Sequence, residues 1–262
     1  MSNLTIAILT YNEKINIKDV IENALKCTDD VLVVDSGSTD RTVEIAKKMG
    51  ARVIYRAWDD DFAAQRNFAL LHTTSDWILY LDADERLNNE LIEKIKVIVK
   101  DNKQNIQYAF KRKSVAFGQE FNHGVLHPDF VFRMFPTSKV KWINKVHERP
   151  ICDLKKGFVS GYIKHYTYRT WEQYEKKFSQ YTTIWAEDAY KKGKRTSLVK
   201  TIAHSIGSFI KMVLLKKGFM DGSLGFILCC DHFFYTLRKY SKLYELQRVA
   251  KNSKKASKKA KK

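Results

Sequence analysis

Four short apolar runs, separated by segments of helical period, organise the first third of the chain. They are residues 4–9 (LTIAIL), 31–35 (VLVVD), 52–56 (RVIYR) and 77–82 (WILYLD), mostly rich in the β-branched and aromatic residues of buried strands. Between the first two, Ile17, Val20, Ile21, Ala24 and Leu25 recur at three- and four-residue spacing, the stripe of an amphipathic helix. A second helix is predicted within residues 39–50, opened by a capping sequence and closed by Gly50. A third follows Asp59, Asp60 and Asp61, acids whose position suits a helix N-terminus better than a metal. This alternation predicts βαβ units on a parallel sheet with helices on both faces. Such sheets bind ligands at the carboxyl ends of their strands, where Asp35 and Asp82 fall.

Beyond residue 106 the pattern changes. Residues 107–118, 129–135, 139–144 and 161–169 read as strands with irregular connections, as in a mixed sheet. From Thr170 onward the chain reads as helical. The stretch 197–215 carries Val199, Ile202, Ala203, Ile206, Phe209, Ile210, Val213 and Leu214 at helical spacing, with Lys200, Lys211, Lys216 and Lys217 nearby. That combination suits an anionic lipid surface or a packed core. Charges interrupt every long apolar run, so no transmembrane span is expected.

Composition narrows the class. A chain of 262 residues with 44% hydrophobic content is expected to form one large domain, alone or with an appendage, and not a disordered polymer. Cys27, Cys152, Cys229 and Cys230 have no metal-ligand spacing, and with no leader sequence evident they are expected as reduced thiols in the cytosol. The net charge is +18, and the last twelve residues hold seven lysines and no acid. Removing those seven charges still leaves +11, so nucleic acid, anionic lipid and phosphorylated substrates are all electrostatically suitable partners. Gly37 stands alone in its loop, which disfavours a P-loop or dinucleotide fingerprint.

The chemistry concentrates in WILYLDADER. Asp82, Asp84 and Glu85 arrive within four positions at the end of the most apolar strand. Carboxylates so placed repel one another and lose hydration, which predicts a cation among them. An extended Asp-x-Asp aims both side chains to one side, and hard oxygen ligands suit magnesium or manganese. A turn before a helix cap would produce the same bare motif, but Asp35 ends a neighbouring strand in VVDSGSTD and favours a ligand site.

TIAILTYNE, VLVVDSGSTDRT, AAQRNFAL and WILYLDADE, in this order and spacing, resemble glycosyltransferase family 2, whose fold is called GT-A. FRMF, VHERP, HYTYRTWEQYEKKFSQY and GFMDGSLGF resemble the bacterial branch that contains lipopolysaccharide inner-core β-glucosyltransferases. The resemblance implies an α/β GT-A fold, a mostly parallel Rossmann-like sheet with helices on both faces, plus a helical C-terminal region. It implies a catalytic domain at 1–168 and a helical region at 169–250 touching membrane or acceptor; it falls away in the low-complexity, lysine-rich residues 251–262, which are expected to form a disordered tail. The implied reaction is inverting transfer from a nucleotide sugar, UDP-glucose in that branch, with a divalent metal (Mg or Mn).

Carried over residue by residue, Thr10, Tyr11, Asn12 and Glu13 would line the nucleotide pocket and Asp35 would meet the base. Arg66 would lie near the nucleotide and its pyrophosphate. Asp82 would face the ribose or the metal's water, Asp84 would ligate the metal, and His165 would complete the metal site. An inverting transfer also needs a general base. His147 and Glu148 are the candidates in NKVHERP, and Glu148 is preferred because similar enzymes place a carboxylate there. Arg133 and Trp142 suit donor phosphate and acceptor sugar, or ordinary packing. The expected partners are the nucleotide-sugar donor and a lipid-linked oligosaccharide at the cytoplasmic face of the inner membrane, with no nucleic acid. Two alternatives stand beside this reading: a transferase acting on protein or peptide, and a charge-driven lipid- or nucleic-acid-binding module. The latter needs none of Asp35, the Asp-x-Asp pair or the His-Glu pair.

Overall fold

The computed structural model describes residues 3–145 and 148–259 and divides into two units, residues 1–113 with 129–166, and residues 114–128 with 167–262. In chain order the elements are β1 (Leu4–Thr10), α1 (Ile17–Ala24), β2 (Asp30–Asp35), α2 (Thr42–Lys48), β3 (Arg52–Tyr55), α3 (Phe62–Leu71), β4 (Trp77–Asp82) and β5 (Glu85–Leu87). Then follow α4 (Asn89–Asp101), β6 (Ile106–Ala116), β7 (Gln119–Glu120), β8 (Asp129–Pro136), β9 (Lys141–Ile143), β10 (Arg149–Ile151) and β11 (Lys155–Tyr168). The chain ends in α5 (Trp171–Lys191), α6 (Leu198–Ile210) and α7 (Gly222–Lys259).

The sheet of the first unit has the order β3-β2-β1-β4-β8-β6-β11-β5. Its first four strands are parallel, and β8 then pairs antiparallel with both β4 and β6. Strand alternation divides the core between the two faces. Leu4, Ile6 and Ile8 of β1, with Trp77, Leu79 and Leu81 of β4, pack with α1 and α4 residues such as Ile21 and Ile95. Ala7, Ile78 and Tyr80 point the other way, to Ala63 and Ala69 of α3 and to Trp142. Each strand buried on both faces reads as a continuous apolar run, which is why these four were legible.

Helix α4 was not foreseen. Its Leu91, Ile92 and Ile95 are buried, and the Asn88 side chain accepts a hydrogen bond from the Leu91 amide at 3.0 Å to cap it. The acids before α3 behave as expected. Asp61 caps the helix through the Ala64 amide (2.8 Å), and Asp59 pairs with Arg56 at 2.8 Å.

In the second unit, α6 continues through a π-helical turn, Lys211–Leu215. GFMDGSLGF acquires a packing explanation there. A Cβ on Gly225 would lie 2.3 Å from the Gly218 carbonyl oxygen, and one on Gly218 would lie 2.2 Å from Cys229 Sγ, so neither position has room for a side chain. Asp221, in the same motif, accepts from the backbone amides of Asn122 (2.9 Å) and His123 (2.7 Å) and from His123 Nδ1 (2.8 Å).

Two observations bear on the expectations for the C-terminal third. Leu198–Leu215 is long and apolar enough to cross a membrane by length and composition, with a mean hydropathy of 1.4 and 11% of it buried. Helical backbone also runs on to Lys259, into the segment expected as a disordered tail. Lysine and alanine there are both good helix formers.

Candidate active site

Register brings the candidate residues of the first strands to one edge. Thr10 pairs with Asp35, Leu9 with Asp82, and Asp35 with Tyr55, so the carboxyl ends of β1, β2, β3 and β4 lie side by side. The loops beyond them are tied together by side chains. Asn12, at φ 56°, accepts from the Thr39 amide at 2.8 Å through Oδ1, and its own amide donates to Ser38 Oγ at 2.8 Å. The Glu13 amide donates to Thr42 Oγ1 (2.8 Å), and Glu13 Oε2 accepts from Asn16 (2.7 Å). Tyr11 is exposed beside them.

Asp35 is buried and heavily engaged. Oδ2 accepts from the Gly37 and Ser38 amides, both at 2.9 Å, while Oδ1 accepts from Ser38 Oγ at 2.5 Å and Thr10 Oγ1 at 3.3 Å. Four donors are about what a carboxylate can take. Gly37 makes the turn at φ 101°, a conformation that favours glycine.

The acids after β4 are met by arginine. Arg66, from α3, donates through Nη2 to Asp82 Oδ1 at 3.2 Å and to Glu148 Oε1 at 3.4 Å. Arg133, from β8, donates to Asp82 Oδ2 at 2.6 Å and to the fully buried Glu85 at 2.7 Å. Arg112 of β6 approaches Glu85 to 3.6 Å and forms a forked pair with Asp129. Burial works against ionised Asp82, but Arg133 and Arg66 outweigh it and hold its carboxyl well below the usual range. Burial likewise disfavours the charged guanidinium of Arg133, and Asp82 and Glu85 reverse that effect. The cation predicted among the acids is thus supplied by the protein itself at Asp82 and Glu85.

Asp84 points elsewhere. Its Oδ2 lies 3.3 Å from His165 Nε2, and its carbonyl accepts from the Tyr166 amide at 2.9 Å, so β11 carries the histidine to the strand-end acid. Two ligands of one divalent ion at about 2.1 Å and a right angle stand about 3.0 Å apart. Asp84 and His165 therefore fit such an ion as a pair. Asp82 is engaged by two arginines, and no cluster of three or more His, Cys, Asp or Glu with metal-binding geometry occurs among the described residues.

A cleft of about 280 Å³ opens over Arg66, Asp82, Arg112, Arg133, Trp142 and Glu148. Arg66 Nε and Nη1 and Arg133 Nε are buried with no hydrogen-bond partner among the described residues. Trp142 is largely buried under Arg66, whose guanidinium carbon lies 4.7 Å from its ring centroid, so it serves as a platform for that arginine at the cleft wall. Asn67 fixes it by exchanging hydrogen bonds with the Trp142 backbone at 2.8 and 2.9 Å. His147 lies outside the described residues. Sequence reasoning named Arg133 but not its pairing with Glu85, and it missed Arg112, for which the charged positions within KRKS on β6 were the available signal.

Residues 5–152 match the family described as Glycosyl transferase family 2, and the chain belongs to it. An uncharacterised glycosyltransferase of Rickettsia typhi is 28% identical over 96% of this chain and 90% of its own. The lipopolysaccharide core biosynthesis glycosyltransferase LpsC of Rhizobium meliloti is 24% identical over 92% of each chain. Among solved structures, glucosyl-3-phosphoglycerate synthase from Mycobacterium tuberculosis, in complex with Mn2+, UDP and glucosyl-3-phosphoglycerate, is 25% identical with a TM-score of 0.33 and 45% of each chain covered. The protein is a glycosyltransferase with a GT-A fold: a mixed sheet with helices on both sides and a helical C-terminal region.

Proposed function

We propose that the protein is an inverting, metal-dependent hexosyltransferase that moves glucose from UDP-glucose to a lipopolysaccharide inner-core acceptor. The observation that carries the donor half of this reading is the set of guanidinium donors on Arg66 and Arg133 that have no hydrogen-bond partner among the described residues, in one cleft with Asp82 and Glu148. Buried N–H groups without partners suit the oxygens of a diphosphate, which guanidinium binds as a fork. Thr10, Tyr11, Asn12 and Glu13 border the nucleotide. Asp35 orders the turn beneath the base, and meets the base itself by exchanging one of its loop donors.

Asp84 and His165, with Asp82 beside them, would hold the divalent ion, magnesium or manganese. When bound, such an ion stabilises charge on the leaving diphosphate. Glu148 takes the proton from the acceptor hydroxyl as that oxygen attacks the anomeric carbon from the face opposite the diphosphate. Arg66 orients Glu148 and carries positive charge close to where negative charge grows. Asp84→Asn is expected to abolish metal-stimulated UDP-glucose turnover and weaken Mn2+ binding by tenfold or more, read by calorimetry with and without UDP. Unchanged Mn2+ and UDP affinities in that variant would reject Asp84 as a ligand.

The distant likeness to LpsC supports the lipopolysaccharide acceptor, and the exposed apolar residues Val199, Ile202, Ile206 and Leu214 on the membrane-compatible stretch support a bilayer setting. We read that stretch as lying on the cytoplasmic leaflet, where nearby lysines meet anionic headgroups. Alkaline washing of membranes from expressing cells is expected to release the protein. Retention after that wash, with the detergent fraction holding the whole chain, selects a spanning helix and rejects the peripheral one.

A further inference from the structure

A second cleft, of about 400 Å³, lies wholly within the helical unit between α5 and α7. Trp171, Tyr174, Phe178 and Phe234 provide aromatic walls, and Glu175, Asp231 and Arg238 provide charge. No residue of the donor site contributes to it. We propose that this cleft binds an aminoalkyl phosphate, with the ammonium held among the aromatic rings and the two carboxylates and the phosphate held by Arg238.

The two acids carry the first half of the argument. Neither Glu175 nor Asp231 has a hydrogen-bond or ion-pair partner among the described residues, and Arg238, which lines the same cleft, pairs with neither. Burial, and then the neighbouring charge of Glu175, raises the Asp231 carboxyl above its ordinary value. The cleft therefore presents groups of both signs, Glu175 and half-buried Asp231 for an ammonium and Arg238 for an anion, which a zwitterionic ligand can match at once.

The aromatic rings select the kind of cation. Phe117 stacks on Trp171 at 4.3 Å, Trp171 meets Tyr174 edge-on at 5.6 Å, and Tyr174 meets Phe178 at 6.0 Å, which fixes one wall in place. Phe234 is 55% exposed, a large apolar face left open in this cleft. Ring faces attract alkylammonium groups through their quadrupoles and cover the attached methylenes, whereas a bare metal ion would keep its water. Arg238, lying 4.8 Å from the Phe178 ring centroid, leaves its guanidinium fork for an anion, and the oxygens of a phosphate match that fork.

The test is calorimetric titration of the full-length protein with O-phosphoethanolamine, ethanolamine and inorganic phosphate. O-Phosphoethanolamine is expected to bind at least tenfold more tightly than either part alone. The double substitution Glu175→Gln with Asp231→Asn is expected to weaken it tenfold or more. Phe234→Ala, at an exposed position, repeats the test where the double variant melts early. Inorganic phosphate binding as tightly as O-phosphoethanolamine, or unchanged affinity in both variants, overturns the proposal. Co-sedimentation then distinguishes two sources of the group. Retention on phosphatidylethanolamine–phosphatidylglycerol vesicles above that on phosphatidylglycerol alone, competed by soluble O-phosphoethanolamine, supports a lipid headgroup. Soluble binding without that vesicle preference supports a free or saccharide-linked aminoalkyl phosphate.

Discussion

Glu148→Gln is expected to lower sugar transfer by about 100-fold or more while leaving UDP-glucose affinity near that of the unmodified protein. The substitution keeps the size of the side chain and an oxygen that still accepts from Arg66, now 3.4 Å from the carboxylate. What it removes is the capacity to take a proton. Because the loss falls on the chemical step, single-turnover transfer to acceptor should slow while donor titration by calorimetry stays flat. Near-normal transfer by Glu148→Gln, together with an inactive His147→Ala, would move the general base to the neighbouring residue. An equal loss of donor binding and transfer would instead make Glu148 a donor-site residue.

The largest effect on stability is expected at Arg133. Arg133→Met leaves the fully buried Glu85 with Arg112, at 3.6 Å, as its one cationic partner among the described residues and the Asp82 amide, at 3.1 Å, as a donor, and it removes one of the two guanidiniums on Asp82. Breaking a buried pair in this way typically costs about 3–5 kcal/mol, because a charge remains without compensation. Urea denaturation should show that loss, and adding Glu85→Gln should restore much of it by removing the stranded charge. A single variant within about 1 kcal/mol of the parent would show that the buried network contributes little. The acid limb gives a second readout. Asp82 is held below its ordinary value in the folded state, so its contribution is present above the unfolded value of about 3.9 and lost as pH falls through the lower folded value. Without Arg133 that dependence should weaken.

The parallel half of the fold was legible because β1, β2, β3 and β4 are short apolar runs separated by helical stripes, and a chain of that pattern has few other ways to bury both faces of a sheet. Asp35 and Asp82 could be placed at strand ends from the sequence alone, and Asp61 could be recognised as a cap. Helix α4 was passed over although its buried face follows an ordinary helical spacing.

Local sequence determined which residues end strands and cap helices, because those outcomes depend on neighbours a few positions away. It also showed that acids after β4 require a positive partner. Only the tertiary structure decided what that partner is, since Arg66, Arg112 and Arg133 come from α3, β6 and β8 and reach the acids through pairings far apart in the chain. The same holds for His165, which antiparallel pairing of β11 with β5 sets opposite Glu85 and beside Asp84. Trp142 shows the limit most plainly: its residue type suits a sugar platform, but packing under Arg66 buries the ring, and burial is a property of the folded whole.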